Sequence, residues 1–430
     1  MRGSDISAGT QKGGQAVNIL FIHQNFPGQY KHLAPRLARM GHHCVALTLR
    51  VTEARTWQGV RIIPYTLSGR SAQAVHPWLV DFDTKVTRGE ACWRAACALR
   101  DRGYVPDLIL AHPGWGESLF LRDVWPGARL ALYCELYHLA GWPHLDFDPE
   151  FASTTPEADP LRTRMKNLNN ELHFDAAHAG ISPTRFQADT FPARFRDRIT
   201  VSHDGIDTVA ACPLPDVRLQ VEGAGTLGRK DEVITFVNRN LEPYRGYHVF
   251  MRALPRLLRE RPRARVLIVG GDEVSYGARP PRGQTWKQIF IDEVRGQVSD
   301  ADWARVHFLG RIPYDRFLRL LQLSRVHVYL TYPFVLSWSL LEAMSCGAAV
   351  VAGDTAPVRE VVTHDETGRL VDFFDGAALV DEVCALLDDE TARQQMGRAA
   401  RDLIRARYDL QTICLPRQVA WVGEVAAGGA

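Results

Sequence analysis

Two arginines, a glutamate inside an otherwise apolar stretch and a histidine after an apolar run are the residues of this 430-residue chain best placed to do chemistry. In NRNLEPYRGYHVF, Arg239 ends a strand-like run, and Arg245 stands before Gly246 and a helical pattern. Guanidinium groups stay charged and offer planar, bidentate donors, so two of them converging on a helix start suit a diphosphate. The alternative is a surface turn in which one of them pairs with Glu242. In LTYPFVLSWSLLEAMSCGAAVVAGD, residues 330–354, Glu342 is the one carboxylate before the terminal aspartate. A carboxylate buried without partners is costly, so either the protein or a ligand must supply them. Ser337 or Ser339 can cap the helix that follows, leaving backbone N–H groups for a phosphate. Glu342, about one turn further on, can accept both hydroxyls of a ribose. Its other reading is a helix carboxylate satisfied by a nearby arginine or backbone group. His112 follows DLILA in AHPGWGES, and a neutral imidazole there can donate to a sugar hydroxyl or to a leaving phosphate.

These residues need strands and helices to hold them. VNILFIHQNF, residues 17–26, followed by PGQYKHLAPRLARMGHHCVALTLR, reads as strand, turn, helix, glycine stop and strand. PDLILAHPGWGESLFLRDVW, ARLALYCELYH and FDAAHAGISPTRFQAD extend the alternation. The pattern breaks in the Pro- and Gly-bearing ACPLPDVRLQVEGAGTLGRKD and then restarts. Strands are predicted at 233–239, 265–270, 306–309, 326–331, 349–353 and 369–373. Helices are predicted around 247–260, 285–298, 313–323, 338–346, 355–363 and 376–407. Alternation of this kind implies two α/β domains built on doubly wound parallel sheets. The expected order is a disordered leader (1–16), an N-terminal domain (17–212), a linker (213–232), a C-terminal domain (233–405) and a tail (406–430) packing back on the N-terminal domain. Such sheets bind ligands at the carboxyl ends of their strands, which makes the cleft between the domains the expected site.

Composition removes other classes. Residues 1–210 hold 23 Lys+Arg against 21 Asp+Glu, and the remainder holds 28 against 28. A nucleic-acid binder would show a basic excess, so none is expected. The eight cysteines form no Cys-x-x-Cys pair and read as reduced thiols. No run of 18 apolar residues is present, and the first 16 residues lack a signal-peptide core. The expected location is cytoplasmic, with at most peripheral membrane contact.

Taken in order, NRNLEPYRG, VLIVGG, VHFLGR, VYLTYP, LLEAMSCGAAVVAGD, PVREVV and TGRLVDF resemble the C-terminal half of the family 4 (group 1) glycosyltransferases, which have the GT-B fold. ISPTRFQ, ITVSHDGIDTV and ILFIHQNFPGQYKHLAPRLARMGH resemble parts of that family's N-terminal domain. The resemblance implies two Rossmann-like domains facing a cleft. It also implies a retaining, metal-independent transfer from a nucleotide-diphosphate sugar, UDP-linked, to a glycan, lipid or small-molecule acceptor, with no cofactor. It puts Arg239 and Arg245 on the donor diphosphate, with His112 near the donor sugar as the third catalytic residue. Gly28 falls in a loop facing the donor phosphates, and Glu342 falls on the nucleotide ribose.

Two departures stand out. The second basic residue is usually lysine and lies one position closer. The family's first glutamate is here Phe334, and Glu-Gly-Phe-Gly becomes Phe334, Val335, Leu336, Ser337. Backbone N–H groups of 335–339 still serve the donor. The sugar pocket is altered, in the direction of a donor lacking one hydroxyl. The segment 137–167 is long for a connector and carries Trp142, His144 and Asp146 as acceptor-binding candidates. The alternatives are a nucleotide-sugar epimerase of the same fold and a non-catalytic sugar-nucleotide-binding paralogue.

Overall fold

The structure is a computed structural model that describes residues 16–67, 75–139 and 146–429. The expected leader thus lies outside the described residues except for Ala16. Leaving single-turn helices unlabelled, the chain begins with β1 (Asn18–Ile22), α1 (Leu33–Arg39), β2 (His43–Thr48), β3 (Arg55–Trp57), β4 (Val60–Pro64) and α2 (Val80–Arg100). It continues with β5 (Leu108–Ala111), β6 (Arg129–Tyr133), α3 (Asp159–Ala176), β7 (Ala179–Ser182), β8 (Ile199–Val201), β9 (Arg218–Val221) and β10 (Gly225–Gly228). Next come β11 (Val233–Asn240), α4 (Tyr247–Glu260), β12 (Arg265–Gly271), α5 (Trp286–Arg295), β13 (Val306–Phe308), α6 (Tyr314–Leu323), β14 (Val326–Tyr329) and α7 (Trp338–Ser345). The last elements are β15 (Ala349–Gly353), β16 (Arg369–Val371), α8 (Gly376–Asp388), α9 (Glu390–Arg407) and α10 (Leu415–Ala426).

Two compact units result. One comprises 1–133, 168–180 and 419–430, the other 134–167 and 181–418. An eight-stranded sheet runs in the order β3-β4-β2-β1-β5-β6-β7-β8, and a six-stranded sheet in the order β13-β12-β11-β14-β15-β16. The six-stranded sheet pairs in parallel throughout, and in the larger one β3 pairs antiparallel to β4. Each sheet reverses its winding once, between β1 and β5 in the first and between β11 and β14 in the second. In a doubly wound sheet the crevice at that reversal is where ligands sit.

Apolar strands are buried on both faces here, as parallel sheets require. On one face of the second sheet Ile234 and Phe236 meet Phe250, Leu254 and Leu257 of α4, with the Phe236 and Phe250 rings stacked at 4.5 Å. Each side chain of this size contributes roughly 1.5–3 kcal/mol by leaving water. Arg252 and Arg259 lie on the exposed side of α4. On the sheet's other face Val233, Val237, Leu267 and Val350 pack with Leu340, Leu341 and Met344 of α7.

Two expectations change. The segment read as linker carries the antiparallel β9–β10 hairpin. Val217, Leu219 and Val221 are buried at every second position, a period-two signal that the flanking Pro and Gly residues obscured. The helical stretch 376–407 is two helices. Asp389 ends α8 and caps α9 by accepting the Ala392 N–H at 2.8 Å. All eight cysteines are free thiols, and among the described residues no helix is long and apolar enough to cross a membrane.

Candidate functional site

At the reversal of the second sheet, the chain leaving β11 meets the chain leaving β14. Arg245 joins them: its Nη1 donates to Thr331 Oγ1 at 2.8 Å and to the Val335 carbonyl at 2.9 Å. The side chain is buried, with its guanidinium 5.2 Å from the Tyr276 ring centre and 5.7 Å from that of Phe334. Its Nε and Nη2 have no hydrogen-bond acceptor among the described residues. Arg239 is exposed at the end of β11 and has neither a hydrogen bond nor an ion pair among them. Gly246 positions Arg245: its φ is +68°, and a Cβ there would meet Leu330 Cβ at 2.2 Å.

The alternative pairing with Glu242 is not formed. Glu242 is buried and accepts the N–H groups of Ser275 (2.7 Å) and Tyr276 (3.2 Å) through Oε2, which pins the loop after β12. Burial raises its carboxyl above the usual range, opposed by those N–H groups and by the two arginines.

Ser337 is the residue that caps α7. Its Oγ accepts the Ser339 N–H at 3.3 Å, and its own N–H donates to Tyr329 Oη at 3.0 Å. Two amides expected to serve a ligand are therefore already used, while those of Val335, Leu336 and Trp338 make no hydrogen bond among the described residues. The Leu336 side chain lies in the apolar core, so this residue offers its backbone alone. Glu342 is buried, and its Oε1 accepts the Tyr314 hydroxyl at 2.7 Å. The protein thus supplies a partner to this carboxylate. Burial and the adjacent Glu342 push the Tyr314 phenol well above its usual range. Phe334 is buried at 90° to Tyr244 (5.1 Å) and 4.8 Å from Tyr276, lining the floor beside Arg245 with apolar rings.

In the first unit, His112 follows β5 and is buried. Its Nδ1 accepts the Gly114 N–H at 3.2 Å, and its ring stacks on Trp115 (4.3 Å) and Tyr133 (5.4 Å). Burial, and then the neighbouring His23, hold its pKa well below 6.5, so the ring is neutral at physiological pH. His23 follows β1, across the reversal, with its ring 5.4 Å from that of His112. Its Nδ1 accepts the Asn25 N–H (3.0 Å), and its Nε2 therefore donates to Gln29 Oε1 (2.6 Å). Burial lowers its pKa to about 4. Gly28 has φ +46°, and a Cβ there would sit 2.2 Å from His23 Nε2. Gly28 is thus required by the packing of His23.

Of the acceptor candidates, Trp142 and His144 lie outside the described residues, and Asp146 is exposed. Asp148 and Glu150, just beyond, are committed within the second unit. Asp148 Oδ2 accepts the Tyr332 hydroxyl (2.6 Å) and lies 2.9 Å from His248 Nε2, and Glu150 pairs with Arg252 at 2.6 Å. Asp148, Glu150 and His248 offer ligand atoms within 4.8 Å of one another, but a guanidinium and a phenol already serve the two carboxylates.

Comparison with known proteins decides the family. Residues 40–211 match the model of the glycosyl transferase family 4 group, and residues 224–403 that of glycosyl transferases group 1. The chain belongs to the family 4, group 1 glycosyltransferases. A glycogen synthase of Mycobacterium tuberculosis is 26% identical over 409 residues, covering 89% of this chain and 87% of that protein. A D-inositol 3-phosphate glycosyltransferase of Corynebacterium efficiens is 29% identical, covering 70% and 68%. Among solved structures, sucrose-phosphate synthase from Thermosynechococcus elongatus superposes with TM-score 0.73 at 19% identity, covering 96% and 100% of the two chains. Anabaena HepE in complex with UDP-glucose gives 0.65 at 17%, covering 95% and 99%. The fold is GT-B.

This glycosyltransferase also holds residues that the sequence reading passed over. His23 stands at a strand end in FIHQNF just as His112 does in LILAHP, and that shared position was the available signal. Glu135 follows β6, and its carboxyl, raised by burial, is drawn back by the fields of Arg245 and then Arg239. Tyr276 and Tyr314 carried no local signal, because each acts on a residue about 30 positions away.

Proposed function

We propose that this glycosyltransferase transfers a sugar from a UDP-linked donor with retention at the anomeric carbon and without a metal. The supporting observation is Arg245, buried at the β11–β14 reversal with Nε and Nη2 unused and Arg239 unpaired nearby. In the transfer, the C1–O bond to the diphosphate breaks while the acceptor oxygen bonds C1 on the same face. The acceptor's proton passes to the leaving phosphate oxygen. The barrier falls chiefly through stabilisation of charge growing on the diphosphate, the role of the two guanidinium groups and the open amides of Val335, Leu336 and Trp338. Two fixed positive charges do the work that a divalent cation does in metal-dependent transferases. Glu342, whose Oε1 accepts the Tyr314 hydroxyl, stands in the second turn of α7 as the candidate for the ribose. One structural relative, Anabaena HepE, crystallised with UDP and with UDP-glucose, supports the choice of base.

The test is turnover of UDP-sugars against a panel of glycan and small-molecule acceptors, with the anomeric configuration of the product read by NMR. The reading predicts a retained configuration and the same rate in EDTA. Loss of turnover in EDTA, restored by Mg²⁺ or Mn²⁺, would overturn metal independence, and an inverted product would overturn retention.

A further inference from the structure

Tyr276 stands on the loop that follows β12, and that loop is tied down on both sides of it. Glu242 Oε2 accepts the amides of Ser275 (2.7 Å) and Tyr276 (3.2 Å), and Asn240 Nδ2 donates to Ser275 Oγ at 2.7 Å. Gly277 comes next with φ +79°, and a Cβ there would meet the Tyr244 ring at 3.0 Å. A carboxylate is costly to bury, and the buried Glu242 is given over to placing Ser275 and Tyr276. The outcome is a ring centred 5.2 Å from the Arg245 guanidinium and 4.8 Å from the Phe334 ring.

Those contacts ask for a ring and not for a hydroxyl. Tyr276 Oη makes no hydrogen bond among the described residues, and it is not one of their partnerless polar atoms sealed from solvent. Tyr276 is half-buried and lines a cavity of about 480 Å³, so its hydroxyl is open to a ligand. Burial raises its pKa, and the charged groups that act on it after that are Arg245, Glu135, Arg239 and Glu242. The phenol is therefore a neutral donor at physiological pH. The Tyr244 hydroxyl is open as well, but Arg239 is not among the groups that act on it, and its ring meets Phe334 edge-on. Of the two phenols, Tyr276 is the one in the field of both cations.

Arg245 keeps Nε and Nη2 open beside this ring. An anion held by the two guanidinium groups thus has a neutral O–H donor close by. Such a donor adds a hydrogen bond to a charged oxygen without adding a further charge. The bond strengthens as negative charge grows on a leaving group, which is where it lowers a barrier. We propose that the Tyr276 hydroxyl donates a hydrogen bond to the diphosphate of the nucleotide donor, as a third contact beside Arg239 and Arg245. This role rests on the donor reading proposed above.

The test is calorimetric titration of the full chain, and of Tyr276→Phe, which keeps the ring, with UDP, UDP-glucose and inorganic pyrophosphate. The variant is expected to keep the wild-type melting temperature and to bind all three roughly tenfold more weakly, or worse. A second measurement uses wild type carrying carbon-13 at the tyrosine Cζ atoms. The NMR signal that Tyr276→Phe removes should shift when pyrophosphate is added, which a role in packing alone would not produce. Wild-type affinity for UDP and pyrophosphate in the variant would overturn the contact, and so would a Cζ signal that pyrophosphate leaves in place. Weakening confined to UDP-glucose would put the hydroxyl on the donor sugar and overturn the diphosphate contact as well. If the variant loses melting temperature along with affinity, the Cζ shift decides. Pyrophosphate binding that depends on Tyr276 in a chain that binds no UDP would overturn the choice of UDP and leave the contact standing. A wild-type chain that binds neither would overturn both.

Discussion

Arg239 and Arg245 sit six positions apart, yet the fold uses them differently. Arg245 is buried and donates to Thr331 and to the Val335 carbonyl, so it is part of the wall that it charges. Arg245→Ala leaves both acceptors without their donor and is expected to lower unfolding free energy by about 1–3 kcal/mol in urea titration. The Arg239 side chain is exposed and makes no hydrogen bond among the described residues, so Arg239→Ala should stay within about 0.5 kcal/mol of wild type. Equal stability of the two variants would contradict the division of roles. The pair was legible in the sequence because strand end, glycine and helix start lie within eight residues. The Glu342–Tyr314 bond was not, because its members lie 28 positions apart on different helices and only packing brings them together.

At the level of elements, β11 and β14 matter most, since the proposed donor anchor hangs from their ends. Their pairing is locked by a buried polar cluster: Thr235 Oγ1 lies 2.8 Å from both Ser324 Oγ and His327 Nδ1. Burial lowers the His327 pKa from 6.5 to about 3, so the ring is neutral in the folded chain. Between those values an unfolded chain binds a proton that the folded chain refuses, and stability rises with pH through that window. The contribution is complete above pH 6.5 and is lost as pH falls toward 3. His327→Gln should therefore flatten the rise of unfolding free energy between pH 5 and 6.5 by roughly 1 kcal/mol per pH unit. Comparing slopes isolates this ring from Glu117, Glu242 and Glu360, whose burial-raised carboxyls pull the other way. An unchanged slope would show that His327 is not held neutral. The strands of this sheet were readable as apolar runs between turn residues. The β9–β10 hairpin was not, since its alternating Val217, Leu219 and Val221 sit among prolines and glycines that read as linker. The break at Asp389 was also hidden, because the helical pattern resumes within one residue.

At the scale of the molecule, each unit repeats one arrangement: a parallel sheet that reverses its winding, with chemistry-bearing residues at the strand ends flanking the reversal. In the first unit these are His23 and His112, neutral and edge to face; in the second they are Arg239, Arg245 and the start of α7. The family and its fold follow from that architecture and from the two family matches. The central proposal is that the second reversal is a nucleoside-diphosphate site. The most direct test is calorimetric titration of wild-type chain with UDP, GDP, ADP and dTDP, alongside Arg239→Ala, the variant expected to keep its stability. The account predicts that UDP binds wild type most tightly, and that the variant loses roughly 1.5–3 kcal/mol of that binding, tenfold or more. Wild-type UDP affinity in Arg239→Ala, or no binding of any of the four nucleotides, would contradict it.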